Sequence, residues 1–99
     1  MLLNGEGKQA TASTTSAQWA VSKTGANSLS VDVEGSDAVY CLVNCTTSEF
    51  DTLYAAGKAI KVRNGIPFAF YGDQFTNIKN VCYRVAAGGS DSDVNFGAY

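Results

Sequence analysis

The residues best equipped for chemistry are three cysteines, Cys41, Cys45 and Cys82, and three local carboxylate pairs: Asp32 with Glu34, Glu49 with Asp51, and Asp91 with Asp93. Histidine is absent. A cysteine nucleophile would therefore have only lysines or carboxylates to activate it. Paired carboxylates can hydrolyse glycosides when one pKa is raised and their separation is fixed. Here Asp32 and Glu34 alternate onto the polar face of an expected strand. Glu49 and Asp51 fall in the first turn of an expected helix, where the dipole favours negative charge. Asp91-Ser92-Asp93 has the start of a calcium loop without the remaining ligands. A structural zinc site takes four ligands, which three thiols without an imidazole do not supply. Gly88-Gly89 leads into a strand, so it is not a phosphate cradle before a helix. The expectation is a chain that is not an enzyme, with no catalytic, cofactor-binding or metal residues.

An odd cysteine count is a poor disulfide framework. In a strand, Cys41 and Cys45 would have Cα atoms roughly 13 Å apart, beyond the limit of about 7 Å for a disulfide. Cys82 shares strand parity with Asn80 and Arg84, so it is expected to look away from the apolar face formed by Val81, Tyr83 and Val85. Three reduced thiols are the expectation, and a bridge from Cys82 to one of the others is the alternative.

Seven strands can be read from period-2 alternation. Trp19 and Val21 mark the first, and Leu29, Val31 and Val33 the second, with Lys23 to Asn27 as the turn between them. Ala38 to Cys45 is apolar on both parities, with Val39, Cys41 and Val43 on one face and Tyr40 and Leu42 on the other. Such a strand is either covered twice or has one face in an interface. Ser48 to Gly57 breaks the rhythm: Phe50, Leu53 and Tyr54 have helical spacing, Ser48 with Asp51 suggests a capping box, and Gly57 suits the C′ position. Ala59 to Tyr71 reads as a hairpin about Asn64-Gly65 with a type I′ turn. Ile60, Val62, Ile66, Phe68 and Phe70 would face in, and Lys61 and Arg63 out. Phe68→Asp should then unfold the domain and Lys61→Asp be tolerated. Pro67 must begin its strand or lie on an edge. Ile78 to Ala87 and Val94 to Ala98 complete the set. Frequent turns, short strands and one small helix predict an all-β fold, an antiparallel β-sandwich of about seven strands.

Residues 1–16 have no period and few apolar side chains. They read as an extended N-terminal arm, compatible with a free tail or with a segment ordered on a neighbour. Residues 17–99 form the sandwich domain. The 99 residues carry a net charge of −2 and are only 16% charged, against about 25% in a typical protein. This argues against nucleic acid and leaves much neutral surface for a protein partner. Lys58, Lys61, Arg63, Lys79 and Arg84 read as a solvated face. No stretch approaches the roughly 20 apolar residues of a membrane helix, and the start of the chain does not resemble a signal peptide. The candidate interface comprises Leu2, Leu3, Tyr40, Leu42, Tyr71 and Tyr99. Leu2 and Leu3 are the arm's apolar anchors. Tyrosine suits a site buried at one end and wet at the other.

The succession Val39-Tyr40-Cys41-Leu42-Val43-Asn44, a short helix, Ala59 to Phe70, Val81 to Gly88, and Val94-Asn95-Phe96-Gly97-Ala98-Tyr99 resembles small β-sandwich virion proteins of tailed bacteriophages, including head decoration (cement) proteins. The resemblance spans about Ala38 to Tyr99. It implies a protein made in the host cytoplasm and placed on the capsid surface of the virion. There it would bind the major capsid protein, often as a homotrimer, and brace neighbouring shell subunits. It brings no catalytic residues. A tail, neck or fibre module, with glycan binding through its tyrosines, is the alternative. The cysteines depart from what a hardy particle surface would carry, because an exposed thiol there is a liability.

Overall fold

A computed structural model describes residues 5–72 and 77–99. They form eight strands and one helix: β1 Glu6–Ala12, β2 Ala17–Ala20, β3 Ser28–Val33, β4 Val39–Val43, α1 Thr47–Ala55, β5 Ile60–Val62, β6 Phe68–Tyr71, β7 Asn80–Arg84 and β8 Ser92–Ala98. Two four-stranded antiparallel sheets result, ordered β1-β8-β3-β6 and β2-β7-β4-β5. The β-sandwich expected from alternation is the observed fold.

The alternation explains the packing. Leu29, Val31 and Val33 of β3, with Val94, Phe96 and Ala98 of β8, face Val39 and Cys41 of β4 and Val81, Tyr83 and Val85 around β7. Trp19 stacks on Phe96 across the gap, with centroids 6.0 Å apart and planes at 20°. Burying a side chain of this size contributes on the order of 1.5–3 kcal/mol.

The structure corrects the reading of the N-terminal segment. Glu6–Ala12 is not an arm but the first strand, paired along its whole length with β8, from Glu6 opposite Ala98 to Ala12 opposite Ser92. Backbone pairing and the burial of Ala12 hold it, and both are open to a sequence with little side-chain hydrophobicity. Glu6 adds a tie between the layers: its carboxylate accepts from the Ser22 amide at 2.9 Å and from the Ser22 hydroxyl. Those bonds hold the Glu6 carboxyl below its ordinary pKa.

The expected hairpin is also corrected. β5 pairs with β4 in one sheet and β6 with β3 in the other; only an Arg63–Ile66 bridge joins them. Gly65 alone of the central pair has positive φ, at 84°, as in a type II turn and not type I′. The Asn64 side chain instead donates to the carbonyls of Glu34 and Gly35, at 2.8 and 3.2 Å. The turn is thereby anchored to the β3–β4 connection, and its two strands diverge into different layers. Pro67 stands just before β6, which is an edge strand.

Helix α1 begins earlier than Ser48 implied. Thr46 is the N-cap, and its hydroxyl accepts from the Glu49 amide at 3.1 Å while the Glu49 carboxylate accepts from the Thr46 amide at 2.9 Å. Glutamate reaches back where Asp51 does not. That box keeps the Glu49 carboxyl below its ordinary pKa. Gly57, at φ 75°, closes the helix as the C′ residue, with Lys58 N–H bonded to Leu53 and Gly57 N–H to Tyr54, a Schellman pattern.

Candidate protein interface

The two outer faces of the sandwich differ. On the second sheet, Tyr40 and Leu42 of β4, Lys61 of β5 and Cys82 and Arg84 of β7 point outward by register. Helix α1 lies over this face. Phe50 is fully buried under it. Tyr54 meets Tyr40 edge to face at 5.1 Å, and Arg84 lies 4.2 Å from the Tyr54 ring centroid. Lys61 Nζ stands 5.8 Å from the Tyr40 centroid. Tyr40 and Leu42 are half-buried on this face. Tyr40 thus meets the protein's own helix, while Leu42 stands opposite Cys82 on the same face. Two of the five basic residues, Lys61 and Arg84, are likewise spent on aromatic rings.

On the first sheet no described helix covers the outer face. Gly7, Gly97, Ser30 and Ala69 lie in one row across its four strands. Beside that row Tyr71 pairs with Ser28, and Ser28 exchanges backbone hydrogen bonds with Tyr99 at 3.2 and 3.0 Å. The two tyrosines therefore flank Ser28 on one face, with backbones about 10 Å apart. The Tyr99 ring leans over two glycines: a β-carbon on Gly5 would fall 2.5 Å from it, and one on Gly97 3.1 Å. Tyr71 is 81% exposed and Tyr99 58%. Of the six sequence candidates, the structure places these two in one row of the same face, on either side of Ser28. Leu2 and Leu3 lie outside the described residues.

Next to this face runs the β6 edge, Phe68-Ala69-Phe70-Tyr71, with no charged residue. Phe68 and Phe70 have the inward parity of Val31 and Leu29, yet Phe68 is 38% exposed and Ile66 67%. Phe68 packs edge to face on Phe70 at 4.9 Å. The expectation that Phe68 is core is corrected: at an open edge, the inward direction has a neighbour on one side only. Edges are commonly guarded by charge. β1 has Glu6 and Lys8, and β5 has Lys61; the other two edges, β2 and β6, have none, and of these β6 carries the exposed aromatic side chains. Ile66 and Phe68 are exposed apolar residues that sequence alternation hid. Pro67, which marked the edge, was the available signal.

Four of the six paired carboxylates, Glu34, Glu49, Asp51 and Asp93, have structural partners. Asp51 accepts from Ser16, Asp93 from Thr11 at 2.9 Å, and Glu34 from Asn95. Among the described residues no group of three or more His, Cys, Asp or Glu is placed to hold a metal. All three cysteines are free. Cys41 lies in the inter-sheet core, and burial pushes its thiol well up. Cys82 is buried on the opposite side of its sheet, as its parity predicts, and burial, with Cys45 beside it, pushes its thiol up to about 12. No helix among the described residues is long and apolar enough to cross a membrane.

No family model matches the chain, and no curated protein sequence matches it. Among solved structures, it is similar to a subunit from the work described as "Bacillus endospore appendages form a novel family of disulfide-linked pili". The two are 16% identical, with a TM-score of 0.54, over 95% of this chain and 81% of that one. At that identity the likeness concerns the fold alone.

Proposed function

We propose that this chain is a structural, non-catalytic subunit of a large protein assembly, seated through the outer face of its first sheet and the adjoining β6 edge. The observation that carries the reading is the set of exposed uncharged side chains along this edge, Ile66, Phe68 and Tyr71, with Tyr99 on the other side of Ser28. Exposed apolar patches of this kind mark contact sites, and an open edge strand offers backbone donors and acceptors to a partner. The low charge of the whole chain suits contacts repeated many times by symmetry.

In its specific form the proposed subunit is a decoration protein of a tailed-phage head, bound to the major capsid protein on the virion surface as a homotrimer. The likeness of the stretch from Ala38 to Tyr99 to such proteins supports this form. A self-assembling fibre subunit is the second reading, favoured by the pilus protein among the structural neighbours. Sedimentation and electron microscopy of the purified chain at rising concentration separate them. Filaments formed by the chain alone would establish the fibre. A discrete oligomer that binds shells, present in particles at a copy number near that of the shell subunit, would establish the decoration protein. A monomer that binds neither itself nor shells would overturn both. Phe68→Asp combined with Tyr71→Asp should abolish assembly in either case while leaving the fold intact.

A further inference from the structure

β4 stops at Val43 because Asn44 turns it. Asn44 has φ 59°, the one positive value at a non-glycine among the described residues. Its side chain pins the turn by accepting from the Lys79 amide at 2.7 Å and donating to the Asn77 carbonyl at 2.9 Å. The chain does not continue straight to Cys45, as a strand ending there would. It folds back over the outer face of β7, the face to which Cys82 points. The Cys82 thiol donates to the Cys45 carbonyl oxygen at 3.2 Å, which sets the two cysteines side by side. Asn80 braces the arrangement: its amide donates to the Cys45 carbonyl at 2.7 Å and reaches the Cys82 sulfur at 3.7 Å. Cys45 is half-buried and lines an open cleft of about 640 Å³ with Gln18, Asn44, Glu49 and Asn77. Cys41 has neither access nor a partner of this kind, being sealed in the core.

We propose that Cys45 and Cys82 are a thiol pair that closes to an intramolecular disulfide, stapling the start of α1 to β7. The reaction is exchange with a small disulfide such as oxidised glutathione. The Cys45 thiolate, reached from the cleft, attacks one sulfur of the reagent; that S–S bond breaks, and one thiolate leaves and takes a proton. Cys82, deprotonated, then attacks the Cys45 sulfur of the mixed disulfide and expels the second thiol. Two protein thiols are oxidised to one disulfide, and one reagent disulfide is reduced to two thiols. Thr46, the N-cap of α1, follows Cys45 directly, so the link fixes the helix entry. The pairing lies within one chain and is independent of how the subunit assembles.

The folded protein is incubated with oxidised glutathione at mildly alkaline pH, because burial holds both thiols up and Glu49 adds to this at Cys45. It is then denatured, alkylated and mapped by mass spectrometry. The expected product has lost two hydrogens, carries a single alkyl group, at Cys41, and yields a linked peptide joining Cys45 to Cys82. Its thermal midpoint should rise by several degrees and fall back on reduction. Cys41→Ser should leave the reaction unchanged, and Cys45→Ser should abolish it. A link between two chains, a glutathione adduct resting on Cys45 with Cys82 still alkylated, or alkylation of all three cysteines after incubation would each overturn the proposal.

Discussion

Arg84 holds its guanidinium 4.2 Å from the centre of the Tyr54 ring, and through it the outer face of β7 grips α1. Tyr40 completes the contact edge to face.

A double-mutant cycle on Arg84→Ala and Tyr54→Leu should therefore return a coupling of about 0.5–1 kcal/mol, the range of partly exposed cation–π pairs. Urea unfolding of the four proteins measures it. Additive effects would mean that the two groups only share a surface.

Core and edge should separate cleanly by mutation. Leu29→Ala, in the sealed inter-sheet layer, should cost about 2–5 kcal/mol. Phe68→Ala should cost less, since over a third of that side chain stays in water. Phe68→Asp should leave a cooperative unfolding transition, as should Lys61→Asp. Loss of that transition in Phe68→Asp would return Phe68 to the core.

Acid should weaken the fold through Glu6 and Glu49. Both carboxyls sit below their ordinary value of 4.5 because of hydrogen bonds from Ser22 and Thr46 respectively. A carboxylate with a depressed folded pKa stabilises above its unfolded pKa, and that contribution is lost as pH falls through the folded one. Stability should thus decline as pH drops from about 4.5. The Glu6→Gln, Glu49→Gln variant should show a shallower slope there, as read from urea midpoints across the acid range.

Gly35 is needed for space. A β-carbon there would fall 2.7 Å from the Ser92 Cα, and Ser92 is buried with its hydroxyl donating to the Asp37 carbonyl at 2.7 Å. Gly35→Ala should destabilise by about 1–3 kcal/mol, the range of overpacking. Gly7→Ala, whose nearest neighbour would be the Phe96 carbonyl oxygen at 3.8 Å, should be close to neutral in the same denaturation assay.

Alternation reveals the strands that have a clear inside and outside. Leu29, Val31 and Val33 are buried while Asp32 stays exposed, and that contrast is written in residue type. It reveals less where backbone pairing or position in the sheet decides. Glu6–Ala12 joins the sheet by its ladder with β8, which leaves little trace in side chains of mixed character. Phe68 has inward parity and an outward fate, because parity says nothing of which strand is last in a sheet. Tyr40 and Leu42 show that β4 has a second apolar face but not whether the cover comes from α1 or from another chain. Tyr71 and Tyr99 are legible as exposed aromatics, but their placement on either side of Ser28 depends on β6 and β8 both pairing with β3, a long-range fact. Cys45 escapes a strand reading for a local reason: one left-handed asparagine ends β4 before the cysteine is reached.

The register that sets Glu6 opposite Ala98 also decides how the molecule fails under tension. The first and last strands are neighbours, antiparallel, with the chain entering and leaving at the same end of the pair. Pulling the two ends away from each other loads the ladder across its rungs, so the hydrogen-bonded pairs rupture in succession and not all at once. A subunit tethered by its ends would peel at low force, whereas one held by its sheet face would bear load across the intact sandwich.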